Sequence, residues 1–554
     1  MAHTFATDVL VVGAGPVGLT AAAELRRRGV TCRIVDRLPA RLPFAKAVGI
    51  QPRTLEVWDR MGMVRAALEA AVPMRGQFLY VNGVEKARIE LSVPPEVPYG
   101  FVALPQYETE RILDEFLGRF GAAVERGTEL VSFTQDADGV TCRLHTPSGA
   151  EEELRTRYLV GCDGAHSIVR KGLGLSFEGG AFAEEYMLAD VRVDWDLPPG
   201  YNLRAMHLDG DGAVDDVLVC IPLPGRGRYR MSMMVPPELS TARQDAAAPD
   251  GIAHGLQSGR GPALADIQTV LDRLSPQPTT AFDIRWTSVF RISHRIVDRY
   301  GDGRVFVAGD AAHIHPPTGA QGMNTGIQDA WNLAWKLALA CEGAAHPGLL
   351  AGYDAERRPV GEEVVGRTVR HAVEGMENDP DDPATVMLRE AQLLVGYRGS
   401  PTVDPVGEGR GPRPGDRAPD CAGLTGPGTA YPMRLYDVLR DRDHVLLLYG
   451  AGSEPGAGLD ELVRTARESS GGRMEVCLVL AADADADAHA VIEADGTTLP
   501  VYADTRGEFA RLYAAEEPTA FVVRPDGYLG ARLPLSPSPL AAHLAAVFTP
   551  NPPN

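Results

Sequence analysis

The sequence lacks several features that mark other classes of protein. Lysine occurs only four times among 54 basic residues, and a formal net charge of −20 leaves no basic face for nucleic acid. No apolar run approaches the roughly 18 residues of a membrane span, and the first eight residues lack the basic-then-apolar order of a signal peptide. The seven cysteines are scattered and never spaced as CxxC, which indicates neither a disulfide framework nor a metal site. We therefore expect a cytoplasmic protein with no nucleic acid, membrane or metal partner.

The composition is that of a large folded protein. Hydrophobic residues make up 44% and charged residues 23% of the 554 residues, which excludes a disordered chain and a coiled coil. The 60 glycines and 43 prolines predict many turns. At roughly 150 residues per domain, the length predicts three or four domains, or fewer if one of them is large.

The first 36 residues have the pattern of a dinucleotide-binding unit. An apolar strand over 8–12 leads into Gly-Ala-Gly-Pro-Val-Gly at 13–18, then a helix, then a second strand that ends at Asp36. Gly13 permits a tight turn, Gly15 lets the backbone approach a pyrophosphate, and Gly18 lets helix and strand pack closely. The helix N-terminus favours phosphate, and Asp36 is placed to bind ribose hydroxyls. The alternative, a glycine-rich turn in an ordinary α/β protein, leaves the acidic residue unexplained.

Two more strands end at acidic residues. The segment 157–162 runs into Asp163, and the segment 304–309 runs into Asp310. In an open parallel sheet, ligands bind outside the carboxyl ends of the strands. We therefore expect Asp36, Asp163 and Asp310 at one sheet edge, where three carboxylates suit a polyhydroxyl ligand.

Three motifs carry a family resemblance: GAGPVG at 13–18, GCDGAHS at 161–167 and GDAAHIHPPTGAQGMNTGIQDAWNLAWKL at 309–337. The chain resembles the group A FAD-dependent aromatic hydroxylases, which have the para-hydroxybenzoate hydroxylase fold, and among them the phenol and polyketide hydroxylases. The resemblance implies an α/β fold, with a Rossmann-like FAD-binding domain, an interleaved β-sheet substrate domain and a C-terminal thioredoxin-like α/β domain.

The implied domain boundaries divide the chain into four parts. Residues 1–175 form the first part of the FAD-binding domain, with substrate-domain strands near 74–105. Residues 176–290 form the substrate-binding sheet. Residues 291–400 complete the FAD-binding domain and include long helices. Residues 401–554 contain a linker and a thioredoxin-like domain without CxxC, which we expect to be structural.

The resemblance also implies which residues hold FAD. The predicted cofactor-binding residues are Gly13, Gly15, Val17, Gly18, Asp36, Arg37, Lys46, Gln106, Asp163, Asp310, Gly322, Met323 and Asn324. Lys46 departs from the arginine of many relatives, so it keeps the positive charge and loses the planar fork. For Gln106, a role in capping the following helix is the alternative.

The predicted substrate residues are Arg53, Met231, Met233 and Pro317. For Arg53, the alternative to a site role is a surface salt bridge. For the two methionines, the alternative to substrate contact is packing in the core. The sequence contains no compelling acid–base pair or nucleophile. No catalytic side chain is therefore predicted, since the flavin itself supplies the chemistry.

The implied activity is an FAD-dependent monooxygenase reaction. NADPH or NADH reduces FAD, O2 adds to form a flavin C4a-hydroperoxide, and one oxygen atom enters a phenolic or polycyclic aromatic small molecule, such as a polyketide intermediate in antibiotic biosynthesis. Epoxidation and Baeyer–Villiger oxygen insertion on the same scaffold remain open. A non-catalytic flavin-binding scaffold or sensor is the alternative of another class. The sequence leaves the oligomeric state open, with a homo-oligomer favoured.

Two segments bear on the C-terminal domain. The sequence Gly-Ala-Gly-Ser-Glu-Pro-Gly at 450–456 resembles a second nucleotide loop, but its spacing is GxGxxxG and a proline interrupts it. Glu517-Pro518-Thr519 resembles the cis-proline turn of thioredoxin-like domains. The first segment takes the place of a redox CxxC, so disulfide exchange is excluded there.

Overall fold

The structure is a computed structural model that describes residues 5–235, 261–375, 379–407, 409–426, 429–450, 458–481 and 492–549. The strands of these ranges are β1 (Thr7–Val12), β2 (Cys32–Asp36), β3 (Gly49–Ile50), β4 (Val72–Pro73), β5 (Gly76–Val81), β6 (Val84–Glu90), β7 (Val102–Ala103), β8 (Val124–Arg126), β9 (Glu129–Gln135), β10 (Val140–His145), β11 (Glu151–Gly161), β12 (Phe177–Val193), β13 (Tyr201–Leu208), β14 (Val214–Pro222), β15 (Arg228–Met234), β16 (Ala281–Val297), β17 (Gly301–Asp302), β18 (Val305–Val307), β19 (His313–Ile314), β20 (Leu424–Thr425), β21 (His444–Gly450), β22 (Met474–Leu480), β23 (Ile492–Ala494), β24 (Thr497–Leu499), β25 (Val501–Asp504), β26 (Thr519–Val523) and β27 (Leu529–Pro534).

The helices of the same ranges are α1 (Pro16–Arg27), α2 (Pro52–Met61), α3 (Val64–Ala70), α4 (Gln106–Gly118), α5 (Ile168–Gly172), α6 (Leu264–Leu274), α7 (Gln321–Cys341), α8 (Ala351–Glu374), α9 (Pro383–Glu390), α10 (Leu435–Leu439), α11 (Leu459–Ser470), α12 (Glu508–Tyr513) and α13 (Pro537–Leu544). None of them is both long and apolar enough to cross a membrane.

The first sheet has the strand order β17, β18, β11, β1, β2, β8. Its strands β18, β11, β1, β2 and β8 are parallel, and β9 and β10 extend β11 as an antiparallel ribbon. The strand β1 is apolar and almost wholly buried because helices cover both faces of the sheet. α1 begins with Pro16, whose fixed φ suits the first helical position. The carboxyl ends of five adjacent parallel strands therefore meet at one edge.

The second sheet has the strand order β19, β16, β12, β15, β14, β13, β5, β6. It is antiparallel except where β13 pairs with β5. α6 lies against one face, where its apolar residues Ile267, Leu271 and Leu274 join a buried cluster with alternate residues of the strands. The opposite face meets the segment 40–50 that follows β2, because Leu223 packs with Ala45 and Val48 and Arg230 donates to the Lys46 carbonyl. We call the region between this face and the strand ends of the first sheet the cleft.

The C-terminal part forms a third sheet with the order β20, β25, β22, β21, β26, β27. β21, β22 and β25 are parallel, and β26 and β27 form an antiparallel hairpin at one side. Its core is continuous with α7, because Trp335 and Leu339 belong to the same buried cluster as Leu446 and Val522. A thioredoxin-like domain stays a prediction for this part.

The prediction of a cis-proline turn at Glu517-Pro518-Thr519 is wrong. The described residues contain no cis peptide bond, so Pro518 keeps the trans form that X-Pro bonds ordinarily favour. Thr519 then begins β26 directly. Of the glycine-rich segment 450–456, all but Gly450 lies outside the described residues.

Candidate active site

The three glycines of the first βα turn have different surroundings. Gly13 has φ +99°, and a Cβ there would lie 2.3 Å from the carbonyl oxygen of Cys162. A Cβ on Gly18 would lie 1.8 Å from the carbonyl oxygen of Gly13. A Cβ on Gly15 would have nothing within 4 Å. Gly13 and Gly18 are thus required by the fold itself, whereas Gly15 borders open space at the N-terminus of α1.

The first two carboxylates of the sheet edge are held by backbone amides. Asp36 ends β2 and accepts hydrogen bonds from the amides of Ala14 (2.7 Å) and Leu38 (2.8 Å). Asp163 accepts hydrogen bonds from the Ser167 hydroxyl (2.5 Å) and from the backbone amide of Ile168 (2.7 Å). The second bond caps the N-terminus of α5. Burial raises the pKa of Asp163 despite these bonds. The fold therefore uses both residues to fix the turns that surround the glycine motif.

Arg37 and Val17 flank this turn. Arg37 is exposed directly after β2. Val17 contacts the next strand end, because a Cβ on Gly309 or on Gly326 would lie 2.8 Å or 2.7 Å from its Cγ2. These two glycines let α1 and α7 approach each other closely beside the sheet edge.

Asp310 is the third carboxylate of the edge and differs from the other two. It is exposed, and no hydrogen-bond donor reaches its carboxylate within the described part of the chain. It nevertheless lies deep enough for desolvation to raise its pKa, while His313 and Lys46 act in the opposite direction. A solvent-accessible carboxylate at the bottom of a cleft is placed to accept hydrogen bonds from a ligand.

Lys46 lies across the cleft from Asp310. It is exposed to solvent, and desolvation lowers its pKa while Asp310 and Glu110 act to raise it. Gln106 fixes this segment by two hydrogen bonds to Ala47. The backbone amide of Gln106 donates to the Ala47 carbonyl (2.9 Å), and the side-chain Oε1 of Gln106 accepts from the backbone amide of Ala47 (3.3 Å). Lys46 therefore gives the cleft a positive charge on the wall that faces Asp310.

The N-terminus of α7 forms another wall. The Asn324 side chain donates to the carbonyl of Gly49 (2.9 Å) and accepts from the amide of Gln51 (3.0 Å), so it ties this helix to β3. Gly322 and Met323 are half-buried beside it, and Pro317 is exposed just before the helix. The helix start thus presents backbone amides, with their partial positive charge, to the cleft.

Sequence analysis missed a buried network that supports this edge. The Asp329 carboxylate accepts from His313 Nε2 (2.8 Å), Arg357 Nε (2.7 Å) and the amide of Gly309 (3.1 Å). Burial alone would raise its pKa, but Arg357 and His313 hold the pKa of Asp329 below its usual range. Asp329 therefore fixes the turn that carries Asp310. Its only sequence signal was that it is the single acidic residue of α7.

Met231 and Met233, predicted as substrate residues with packing in the core as the alternative, lie in the core of the second sheet. Both are fully buried in the cluster beneath α6, on the face of β15 that turns away from the cleft. Side chains alternate along a strand, so Arg230 lies on the opposite face, where its Nη2 donates to the carbonyl of Lys46 (3.3 Å). The cleft-side face also carries Trp286, which stacks on Phe44 with centroids 5.0 Å apart.

Arg53 also lies away from the cleft. It is fully buried against the C-terminal domain, where it pairs with Glu56 (2.8 Å), donates to the carbonyl of Asp526 (2.9 Å) and lies over the Tyr528 ring. Neither the predicted substrate contact nor the alternative surface salt bridge describes it. The sequence could not show this, because the partners at 526 and 528 are more than 470 positions away.

The cleft fits the cofactor that the resemblance implies. Open space at Gly15 and a carboxylate at Asp310 without a donor among the described residues match a pyrophosphate and a polyol. The positive charges of Lys46 and of the α7 N-terminus match a ring that gains negative charge on reduction. The described residues contain no group of His, Cys, Asp and Glu able to hold a metal ion.

Known proteins resemble the chain in sequence and in structure. A family model described as an FAD binding domain matches residues 6–368. A flavin-dependent monooxygenase of Mycobacteroides abscessus is 36% identical over 457 residues, which cover 80% of this chain and 88% of that protein. Pentachlorophenol 4-monooxygenase of Sphingobium chlorophenolicum is 31% identical over 543 residues, or 95% of this chain and 93% of that protein.

The same relationship is seen among solved structures. The anhydrotetracycline hydroxylase OxyS of Streptomyces rimosus superimposes with a TM-score of 0.73 at 28% identity, covering 98% of this chain and 100% of that one. These matches extend over the cleft and the sheets around it. The chain belongs to the FAD-binding-domain family and is an FAD-dependent monooxygenase.

Proposed function

We propose that the protein uses NADPH or NADH and O2 to hydroxylate a phenolic or polycyclic aromatic small molecule. One contact carries the proposal: Arg230 of the second sheet donates to the Lys46 carbonyl at the cofactor cleft. A planar molecule on that face of the sheet would therefore lie beside the cleft. The activities that name two of the relatives, on pentachlorophenol and on anhydrotetracycline, support the aromatic class.

The residues of the cleft have separate tasks in this proposal. Gly13 and Gly18 hold the turn, Gly15 lets the backbone approach the pyrophosphate, and Asp36 would orient the adenosine ribose beside α1. Asp310 accepts hydrogen bonds from the ribityl hydroxyls, and Lys46 lies beside the same chain. When bound, FAD supplies hydride acceptance from the nicotinamide and the activation of O2.

The start of α7 favours the reduced cofactor. Its backbone amides at Met323 and Asn324 would face the pyrimidine edge of the ring, where reduction leaves negative charge. A helix N-terminus stabilises such an anion by about 0.3–1 kcal/mol, and by about 2 kcal/mol when partly buried. Apolar surfaces such as Trp286 and Phe44 exclude water from the reacting ring. No side-chain nucleophile is required.

Anaerobic stopped-flow reduction tests the proposal. We expect NADPH or NADH to bleach the flavin absorbance of the holoenzyme slowly, and an aromatic substrate to accelerate the bleaching. With ¹⁸O2, one labelled atom is expected in the product. Absence of label from every aromatic compound that accelerates reduction would refute hydroxylation. Label in an epoxide or an ester would indicate the same-scaffold alternatives, and the absence of any reduction would indicate a flavin-binding scaffold or sensor.

Asp310→Ala is expected to weaken FAD binding by roughly 10- to 150-fold, since a charge-assisted hydrogen bond is worth about 1.5–3 kcal/mol. The flavin content after dialysis, together with titration of the apoprotein with FAD, measures the effect. Asp302→Ala is the matched control, because Asp302 is an exposed acidic residue of the neighbouring strand β17. Equal flavin retention in the two variants would refute the role of Asp310.

We also propose a cytoplasmic, homo-oligomeric enzyme, with the C-terminal domain as structural support for the FAD domain. Size-exclusion chromatography with light scattering tests the oligomeric state. A monomer at micromolar concentration would contradict it.

A further inference from the structure

Arg230 is a buried cation without an anionic partner among the residues that the structure describes. Only 8% of the residue is exposed. Within the same residues its side chain makes one hydrogen bond, from Nη2 to the Lys46 carbonyl at 3.3 Å, and its Nε is buried with no partner. No ion pair to Arg230 occurs in the part of the chain that the structure describes. Burial of an unpaired charge is costly, so this arrangement calls for an explanation.

The neighbouring arginine on the same face shows the contrast. Arg228 is also buried (1% exposed), but it pairs with the Asp190 carboxylate at 2.8 Å and with that of Asp283. Asp190 lies opposite Arg230 in the strand register, yet it directs an oxygen to Arg228 instead. In the described ranges, two carboxylates therefore pair with Arg228 and none pairs with Arg230.

Arg230 remains positively charged in its site. Burial lowers its pKa to about 10, which leaves the guanidinium protonated at neutral pH. Its side chain lies on the cleft side of β15, and its one hydrogen bond fixes it beside the Lys46 segment of the cofactor cleft. A ligand on this face would meet a desolvated cation with free N–H groups, where an ionic hydrogen bond is strong.

We propose that Arg230 determines substrate specificity by pairing with an anionic oxygen of the aromatic substrate, such as a phenolate or an enolate. The proposal rests on the proposed function, since it places the substrate on the cleft side of the second sheet. An ionised ring oxygen is a stronger electron donor than a neutral one. Arg230 would thereby select the form of the substrate that attacks electrophilic oxygen most readily.

Binding of a matched pair of probes to the oxidised holoenzyme tests the proposal. Pentachlorophenol is ionised at about pH 8, and pentachloroanisole is its methyl ether, which cannot ionise. Each is titrated against the flavin absorbance of the wild type and of Arg230→Met. We expect the wild type to prefer the phenolate by at least tenfold. Arg230→Met is expected to weaken phenolate binding roughly 10- to 150-fold and to leave the Kd of the ether within about threefold of the wild-type value.

Two variants complete the test. Arg226→Met makes the same change in the exposed turn before β15 and is expected to behave as the wild type. Arg230→Lys keeps the charge and is expected to restore part of the preference. The proposal is overturned if Arg230→Met weakens the binding of both probes equally or loses FAD. It is also overturned if the wild type shows no preference for the phenolate, or binds neither probe.

The proposed function can fail separately from this inference. In one outcome, the holoenzyme binds the phenolate preferentially through Arg230 and yet is reduced by neither NADPH nor NADH. That result would support the anion site and refute the monooxygenase cycle. Normal reduction and oxygen insertion with unchanged probe binding in Arg230→Met would keep the activity and refute the role of Arg230.

Discussion

Gly15→Val is expected to give a folded protein that contains no FAD. The added side chain meets no protein atom near the Cβ position, so the fold has no reason to change. It would occupy the space through which the pyrophosphate approaches the N-terminus of α1. A clash of this kind costs about 1–3 kcal/mol or more, which corresponds to a roughly 5- to 150-fold or larger loss of FAD affinity. The ratio of flavin to protein absorbance and FAD titration of the apoprotein measure it.

Two variants show whether this loss comes from the cofactor site. Gly118→Val places the same side chain in open space at the far end of α4 and should retain FAD. Gly18→Val would drive a Cβ into the Gly13 carbonyl, so it should lower the stability of the apoprotein as well. A yellow Gly15→Val protein, or one whose apoprotein is as unstable as Gly18→Val, would show that the pyrophosphate lies elsewhere.

Glu356→Gln is expected to lower the free energy of unfolding by about 3–5 kcal/mol. The Glu356 carboxylate is fully buried between α7 and the C-terminal domain, where it accepts from Lys336 (2.6 Å) and from both terminal nitrogens of Arg524 (2.7 and 2.8 Å). Asp526 pairs with Arg524 as well, so the cluster holds two positive and two negative charges. Removing one negative charge leaves a buried cation without compensation. Urea unfolding followed by tryptophan fluorescence measures the change.

The pH dependence of this effect has a definite sign. Burial alone would raise the pKa of Glu356, but Arg524 and Lys336 hold this pKa well below its ordinary value. A carboxyl group of this kind stabilises the fold above its unfolded pKa of about 4.3, and the contribution is lost as the pH falls toward the folded value. The difference in the free energy of unfolding between wild type and Glu356→Gln should therefore be constant between about pH 5 and pH 7 and narrow in stronger acid. It should also narrow above about pH 8, because burial lowers the pKa of Lys336 to about 8 and the cation left without Glu356 then loses its charge.

Matched variants separate charge from packing. Glu362→Gln lies on the exposed side of the same helix, α8, where its partner is Arg358, and it should cost less than about 1 kcal/mol. The double variant Lys336→Met, Glu356→Leu removes one charge of each sign and should recover a large part of the stability. A Glu356→Gln protein as stable as Glu362→Gln would contradict this account of the domain interface.

The sequence alone predicted the cofactor half of the fold. Glycines with restricted backbone geometry, a helix directly after them and an acidic residue at the end of the next strand are local features, and their spacing places them without knowledge of the rest of the chain. The chain order of three such strands then predicted that Asp36, Asp163 and Asp310 end at one sheet edge, which the parallel pairing of β2, β1, β11 and β18 confirms.

Contacts between distant segments decided the rest. Alternation along β15 predicted two faces, but only the position of α6 shows that Met231 and Met233 lie in the core and that Arg230 faces the cleft. Arg53 and Asp329 are likewise defined by partners on other elements. Local sequence determines backbone geometry and strand ends because the forces involved act over a few residues. Which side chain meets the ligand depends on how whole elements pack, and that is settled only when the apolar faces of distant segments are buried together.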